Sequence, residues 1–151
     1  MGKYEDFRDG SYNGCAWIAT YNAALLLGER YHPADIIKYY ETRGGSLVNG
    51  VFGVNPVAIR ALFGAQGFET AMHNLPSSVD NHIRNSTVSI LTFAHPDAAH
   101  TVAVYYANGV FHVFNEPETG STYYRAGGLT SVDAWLAGED GFWPISVITL
   151  R

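Results

Sequence analysis

Two β-rich runs flanking Asn108-Gly109 restrict the possible folds of this chain more than any other feature. Residues 101–106 and 110–114 are dominated by β-branched and aromatic side chains. Asn-Gly between such runs favours a two-residue β-hairpin loop, because both positions accept a positive φ. A loop of this length pairs Ala107 with Val110 and sets the register of the whole hairpin. The sequence therefore predicts an antiparallel sheet in the second half of the chain.

The first part of the chain is helical in pattern, and strands follow. This order is typical of an α+β fold, with N-terminal helices packed on an antiparallel β-sheet and one domain over residues 1–151. The predicted helices are Ala16–Leu27 ending at Gly28, Ala34–Thr42 opened by Pro33, Asn55-Pro56 through Phe63, Val79–Arg84 and Ser131–Leu136. The further predicted strands are Phe68–Ala71, Thr87–Phe93, Ser121–Tyr124 and Pro144–Leu150.

Composition excludes several classes of function. The net charge is −5 and no run of Lys or Arg exists, so we expect no nucleic-acid partner. We expect no signal peptide or membrane span, because the N-terminus is charged and no apolar run reaches 18 residues. A single cysteine excludes an internal disulfide, and these features together favour a cytoplasmic protein. Without Cys-x-x-Cys pairs or a phosphate-binding loop, no metal or cofactor is expected.

That single cysteine, Cys15, stands at the start of the first predicted helix. Unpaired backbone N–H groups and the helix dipole favour thiolate over thiol in the first turn of a helix. The alternative is that Cys15 is a small buried apolar residue. The sequence therefore offers one candidate nucleophile, for which we expect a lowered thiol pKa.

A thiol catalyst needs a histidine base, and His100 is the choice among six histidines. It is predicted to open the strand that begins the hairpin, where its side chain can reach a cleft. His112 lies between apolar residues inside the next strand, which is typical of a packed histidine. The remaining histidines fall in turns and polar loops.

Asn115 is the candidate for holding the imidazole of His100. The hairpin register places Asn115 opposite Val102, and His100 and Val102 point to the same face of the sheet. His100 and Asn115 therefore become diagonal neighbours. The carboxylate of Glu116 is the rival acceptor, but in this register it points to the opposite face.

These elements together resemble the papain-like cysteine peptidases, and most closely the bacterial C39-like peptidases. The likeness covers most of the chain. It is carried by four elements in order, namely Cys15-Ala16, Gly53-Val54-Asn55-Pro56, His100-Thr101-Val102 and Asn115-Glu116-Pro117. The resemblance implies a papain-like fold with a Cys15–His100–Asn115 catalytic triad.

The sequence departs from this family's pattern at two places. The acidic residue directly before proline is Glu116, whereas the orienting role is assigned to Asn115 one position earlier. The family usually has a glutamine about six residues before the cysteine as oxyanion donor, and this chain has Asp9 there. The backbone N–H of Cys15 and the amide of Asn13 are the oxyanion donors that remain, although Asn13 can equally be a helix cap.

The sequence thus predicts a thiol-dependent hydrolase of a peptide or amide bond, with a peptide or protein as substrate. Two alternatives use the same cleft: a non-catalytic peptide-binding module, and an amidase or acyltransferase with the same triad. Residues 46–55 are predicted to form a loop. Its Phe52 can line a substrate groove, or the loop can be a simple connector between two helices.

Overall fold

The computed structural model describes residues 14–43, 54–96, 98–115 and 128–151. In this part of the chain, five helices and five strands form an α+β structure. The helices are α1 (Cys15–Leu26), α2 (Pro33–Thr42), α3 (Pro56–Ala65), α4 (Val79–Arg84) and α5 (Val132–Gly138). The strands are β1 (Thr70–Asn74), β2 (Val88–His95), β3 (Ala98–Ala107), β4 (Val110–Phe114) and β5 (Trp143–Leu150).

All five strands belong to one antiparallel sheet with the order β1-β5-β2-β3-β4. The β3–β4 register runs from Ala107 opposite Val110 to Ala103 opposite Phe114. The register predicted from Asn108-Gly109 is therefore confirmed, and Asn108 and Gly109 both have the positive φ that this turn requires.

Helices cover both faces of the sheet. One core cluster packs α1, α2 and α3 against one face, with Ile90, Ala103 and Ile148 among the sheet residues. A second cluster packs α4 and α5 against the opposite face, around Phe93 and Val104. The leading helices lie on the sheet as predicted, whereas the second helical layer was not predicted.

The helix boundaries follow from local chemistry. The side chains of His32, Asn55, Ser78 and Ser131 each accept a hydrogen bond from a backbone N–H in the first turn of α2, α3, α4 and α5. At the end of α1, Gly28 has a φ of 84° and donates to the carbonyl of Leu25 at 3.0 Å. This is a left-handed helix end, as predicted.

Several boundaries differ from the prediction, among them the starts of three strands. Strand β1 starts at Thr70, two residues later than expected, and β5 starts at Trp143, one residue earlier. Strand β3 starts at Ala98, because β2 continues to His95 and pairs with it. His100 consequently lies within β3 and does not open it. The predicted strand Ser121–Tyr124 lies outside the described residues.

Candidate active site

The N-terminus of α1 approaches the sheet closely because its inward face is made of small residues. Ala16, Ala19 and Ala23 are completely buried at a helical spacing of three and four residues. Gly14 precedes the helix without a side-chain cap, so Cys15 is the first helical residue. The thiol therefore stands where the sheet and the end of the helix meet.

Asn115 connects this helix end to β3. Its side-chain amide donates to the carbonyl of Cys15 at 3.0 Å and to the carbonyl of Thr101 at 3.1 Å. The residue is 6% exposed. Both protons of the buried amide nitrogen are therefore donated, and they join Asn115 to residues 100 and 14 positions away in sequence.

The main chain of Asn115 makes a separate contact with the imidazole. Nε2 of His100 lies 2.6 Å from the main-chain oxygen of Asn115. A carbonyl oxygen accepts only, so Nε2 carries the proton and donates it. In the neutral ring the lone pair is then on Nδ1. The ring also packs edge-to-face on Phe93, with 5.5 Å between the ring centroids.

The contact between Asn115 and His100 differs in kind from the expected one. The expectation was that the side-chain amide holds the imidazole, with Asn115 continuing the alternation of the strand. Strand β4 ends at Phe114, and Asn115 has a φ of 68°. This left-handed conformation turns the carbonyl towards His100 and the amide towards Cys15.

The thiol of Cys15 is more deeply buried than the sequence predicted. Burial is the largest influence and raises its pKa above the ordinary value, although Cys15 as a residue is partly exposed. Hydrogen bonds from the main chain and hydroxyl of Thr101, and from the main chain of Ala16, act to lower the pKa without reversing that shift. The expectation of a lowered pKa was therefore wrong, because desolvation outweighs the helix end.

Thr101 is the site residue that the sequence reasoning missed. It follows His100 directly, and strand alternation sends its side chain to the face of the sheet that α1 covers. The predicted register already placed the side chains of His100 and Thr101 on opposite faces of the sheet. Packing of the Cys15 helix on the face of Thr101 would have identified Thr101 as a neighbour of the cysteine. Asn13, Asp9, Glu116 and residues 46–53 of the loop, which include Phe52, lie outside the described residues.

In the described part of the chain, no helix is both long enough and apolar enough to cross a lipid bilayer. The longest, α1, has 12 residues.

Comparisons with known proteins give little beyond the geometry. No protein-family model matches the chain, and no curated protein matches it. Among solved structures, it is similar to the Pseudomonas avirulence protein AvrPphB, at 13% sequence identity and a TM-score of 0.39. That alignment covers 91% of this chain and 77% of the other. A likeness of this size assigns neither a family nor an activity to the chain.

Proposed function

We propose that this protein is a thiol-dependent hydrolase of peptide or amide bonds, of the papain-like type and most similar to the C39-like peptidases. Cys15 is the nucleophile, His100 the base, and Asn115 the residue that holds both. The order of these residues in the sequence supports this assignment, as do the contacts that Asn115 makes with the Cys15 carbonyl and with the His100 imidazole.

The observation that carries the proposal is the double contact of Asn115. One residue binds the carbonyl of Cys15 through its amide and the imidazole of His100 through its main chain. Two hydrogen bonds within a single residue limit how far the helix end and the imidazole can separate. Reacting groups held in this way gain rate by proximity and orientation.

The reaction proceeds in two balanced halves. Nδ1 of His100 takes the thiol proton as sulfur attacks the substrate carbonyl; the C–N bond then breaks, and His100 returns the proton to the leaving amine. Water attacks the resulting thioester in the second half, which releases the acid and restores the thiol. The donation from Nε2 to Asn115 keeps Nδ1 as the basic nitrogen throughout.

The raised pKa of Cys15 affects the order of events. A thiol with a raised pKa is protonated at neutral pH, so its deprotonation accompanies the attack and does not precede binding. The backbone N–H of Cys15 and the amide of Asn13 remain the proposed donors to the oxyanion. Each such donor contributes on the order of 10²–10³ in rate.

The test of this proposal is cleavage of a defined synthetic peptide mixture, read by mass spectrometry for new termini. We expect cleavage by the parent protein, none by Cys15→Ala, and a rate about 10²–10⁴ lower for His100→Ala. His112→Ala is the matched control, because it removes the histidine of the neighbouring strand β4. Equal patterns for the parent and Cys15→Ala would refute the hydrolase. Loss of cleavage in His112→Ala but not in His100→Ala would refute His100 as the base.

The second candidate is the peptide-binding module without catalysis. The burial that raises the pKa of the Cys15 thiol favours it, because a protonated thiol is a weak nucleophile. In that case the parent and Cys15→Ala bind peptides from the mixture equally and neither forms new termini. Native mass spectrometry of the bound peptides separates the two functions.

A further inference from the structure

A row of hydroxyl side chains crosses the three central strands beneath the N-terminus of α1. Thr92 on β2 pairs with Thr101 on β3 and with Ser146 on β5, so the three side chains lie side by side on one face. They are 4%, 3% and 1% exposed, respectively. Their nearest neighbours along β2 and β5 on this face, Ile90 and Ile148, belong to the adjoining apolar core. Three buried hydroxyls in such a surface carry a desolvation cost that packing alone does not offset.

The row is connected at the end next to the nucleophile. The hydroxyl oxygens of Thr101 and Thr92 are 3.2 Å apart. Thr101 lies beside Cys15, because the amide of Asn115 donates to the carbonyls of both residues, at 3.1 and 3.0 Å. The main chain and the hydroxyl of Thr101 also form hydrogen bonds with the Cys15 thiol. At the other end, the hydroxyl of Ser146 has no hydrogen-bond partner among the described residues.

The chemistry of a hydroxyl fixes the direction of this network. Each hydroxyl has one proton to donate and two lone pairs. When the hydroxyl of Thr101 donates to a thiolate, its bond with Thr92 requires that Thr92 donate to Thr101. When Cys15 is a neutral thiol, the same hydroxyl accepts, and the protons rotate without movement of heavy atoms. The row therefore adapts to both protonation states of the nucleophile.

We propose that Thr101 is a positioning residue for Cys15, whose hydroxyl and main chain hold the sulfur and donate to it as negative charge develops. Thr92 orients that hydroxyl through their shared hydrogen bond. The catalytic meaning of this role rests on the proposed hydrolase function. The contact with sulfur is independent of it, because thiol reactivity is measurable without any substrate.

Other titrating groups near the thiol must be separated from this effect. The elements packed against α1 carry His100 on β3, His95 on β2, and Asp35, Lys38 and Glu41 on α2. Helix α1 itself carries no charged residue. Profiles of His100→Ala, His95→Ala and Glu41→Gln therefore accompany the threonine variants.

The experiment is the rate of alkylation by iodoacetamide as a function of pH. Thr101→Val keeps the shape and removes the hydroxyl, and we expect it to raise the apparent thiol pKa by about one unit. Alkylation at pH 7 then falls about tenfold. Thr101→Ser should restore the parent profile. Thr149→Val is the control, since Thr149 is a buried strand threonine at 5% exposure on the other face of the sheet.

Thr101→Val with a parent-like profile would overturn the proposal, as would an equal shift in Thr149→Val. If Thr101→Val does not fold, Thr92→Val gives the answer, with an expected shift in the same direction but smaller. No shift in folded Thr92→Val then overturns it. Peptide cleavage is scored separately, so a parent protein that cleaves nothing but shows the threonine shift refutes the hydrolase and retains the positioning role.

Discussion

Two short helices cap each other through a pair of aspartates, and this arrangement gives the most quantitative prediction. The carboxylate of Asp133 on α5 accepts from Ser78 Oγ at 2.9 Å, from the N–H of Val79 at 2.8 Å and from the N–H of Asp80 at 3.2 Å. In return, the carboxylate of Asp80 on α4 accepts from the N–H of Val132 at 2.7 Å and from that of Asp133 at 3.1 Å. Each helix thus supplies the anion for the N-terminus of the other.

The substitution Asp133→Ala removes three of these hydrogen bonds at once. One of them is a helix-capping hydrogen bond to the charged carboxylate, and its loss costs about 0.5–2 kcal/mol of stability. A second leaves the N–H of completely buried Val79 without its acceptor, which costs about 1–3 kcal/mol. We expect the free energy of unfolding to fall by about 2–4 kcal/mol in total. For a chain of this length the melting temperature falls by roughly 5–15 °C.

Urea unfolding followed by circular dichroism measures this loss. Asp140→Ala is the matched control, because Asp140 is an exposed acid just after α5, and we expect a change within about 0.5 kcal/mol. The double variant with Asp80→Ala should lose less than the sum of the single variants, since the two carboxylates hold one shared interface. A change for Asp133→Ala no larger than the control would refute the capping argument.

Three further predictions concern other parts of the molecule. The rings of His73 and His82 stack with centroids 3.8 Å apart, and burial together with the charge of His82 lowers the pKa of His73. The free energy of unfolding should therefore fall as pH drops below about 6.5, because the unfolded state binds the proton more readily. In His82→Ala this fall should be smaller. Gly128 has a φ of 67°, and a Cβ there would lie 2.9 Å from a main-chain oxygen of β4. In urea unfolding, Gly128→Ala should therefore lower the free energy of unfolding by about 1–3 kcal/mol. Gly138 has open space around it, so Gly138→Ala should not lower the stability. Because burial raises the pKa of the Cys15 thiol, Cys15 in the folded protein should be alkylated at pH 7.5 more slowly than free cysteine. After unfolding in urea, the two alkylation rates should be equal. Faster alkylation of the folded protein than of free cysteine would contradict the prediction.

Local chemistry explains what could be predicted from the sequence. Asn55-Pro56 and His32-Pro33 combine a cap with a proline at the first helical position, and Gly28 supplies the left-handed end of α1. Asn108-Gly109 determines the turn, and the turn determines the pairing of β3 and β4. In each case, the structure is determined by residues that lie within a few positions of one another in the sequence.

The features that escaped prediction depend on distant parts of the chain. The start of β3 depends on how far β2 continues, which moved His100 from the first position of its strand to the third. The burial of the Cys15 thiol depends on the close packing of α1 on the sheet. Asn115 leaves the alternation of the strand because its two carbonyl acceptors, from Cys15 and Thr101, come from other elements.

The separation between Cys15 and Asn115 has a consequence for synthesis of the protein. Their hydrogen bond joins positions 100 residues apart, and the ribosome releases the N-terminal end first. At roughly 5–20 residues per second, Cys15 is made about 5–20 s before Asn115. For most of that interval neither His100 nor the central strands β2 and β3 have been made, so the cysteine is an ordinary thiol on a nascent helix. The site is completed only when the β3–β4 hairpin docks, which delays any chemistry of the thiol until most of the chain has been made.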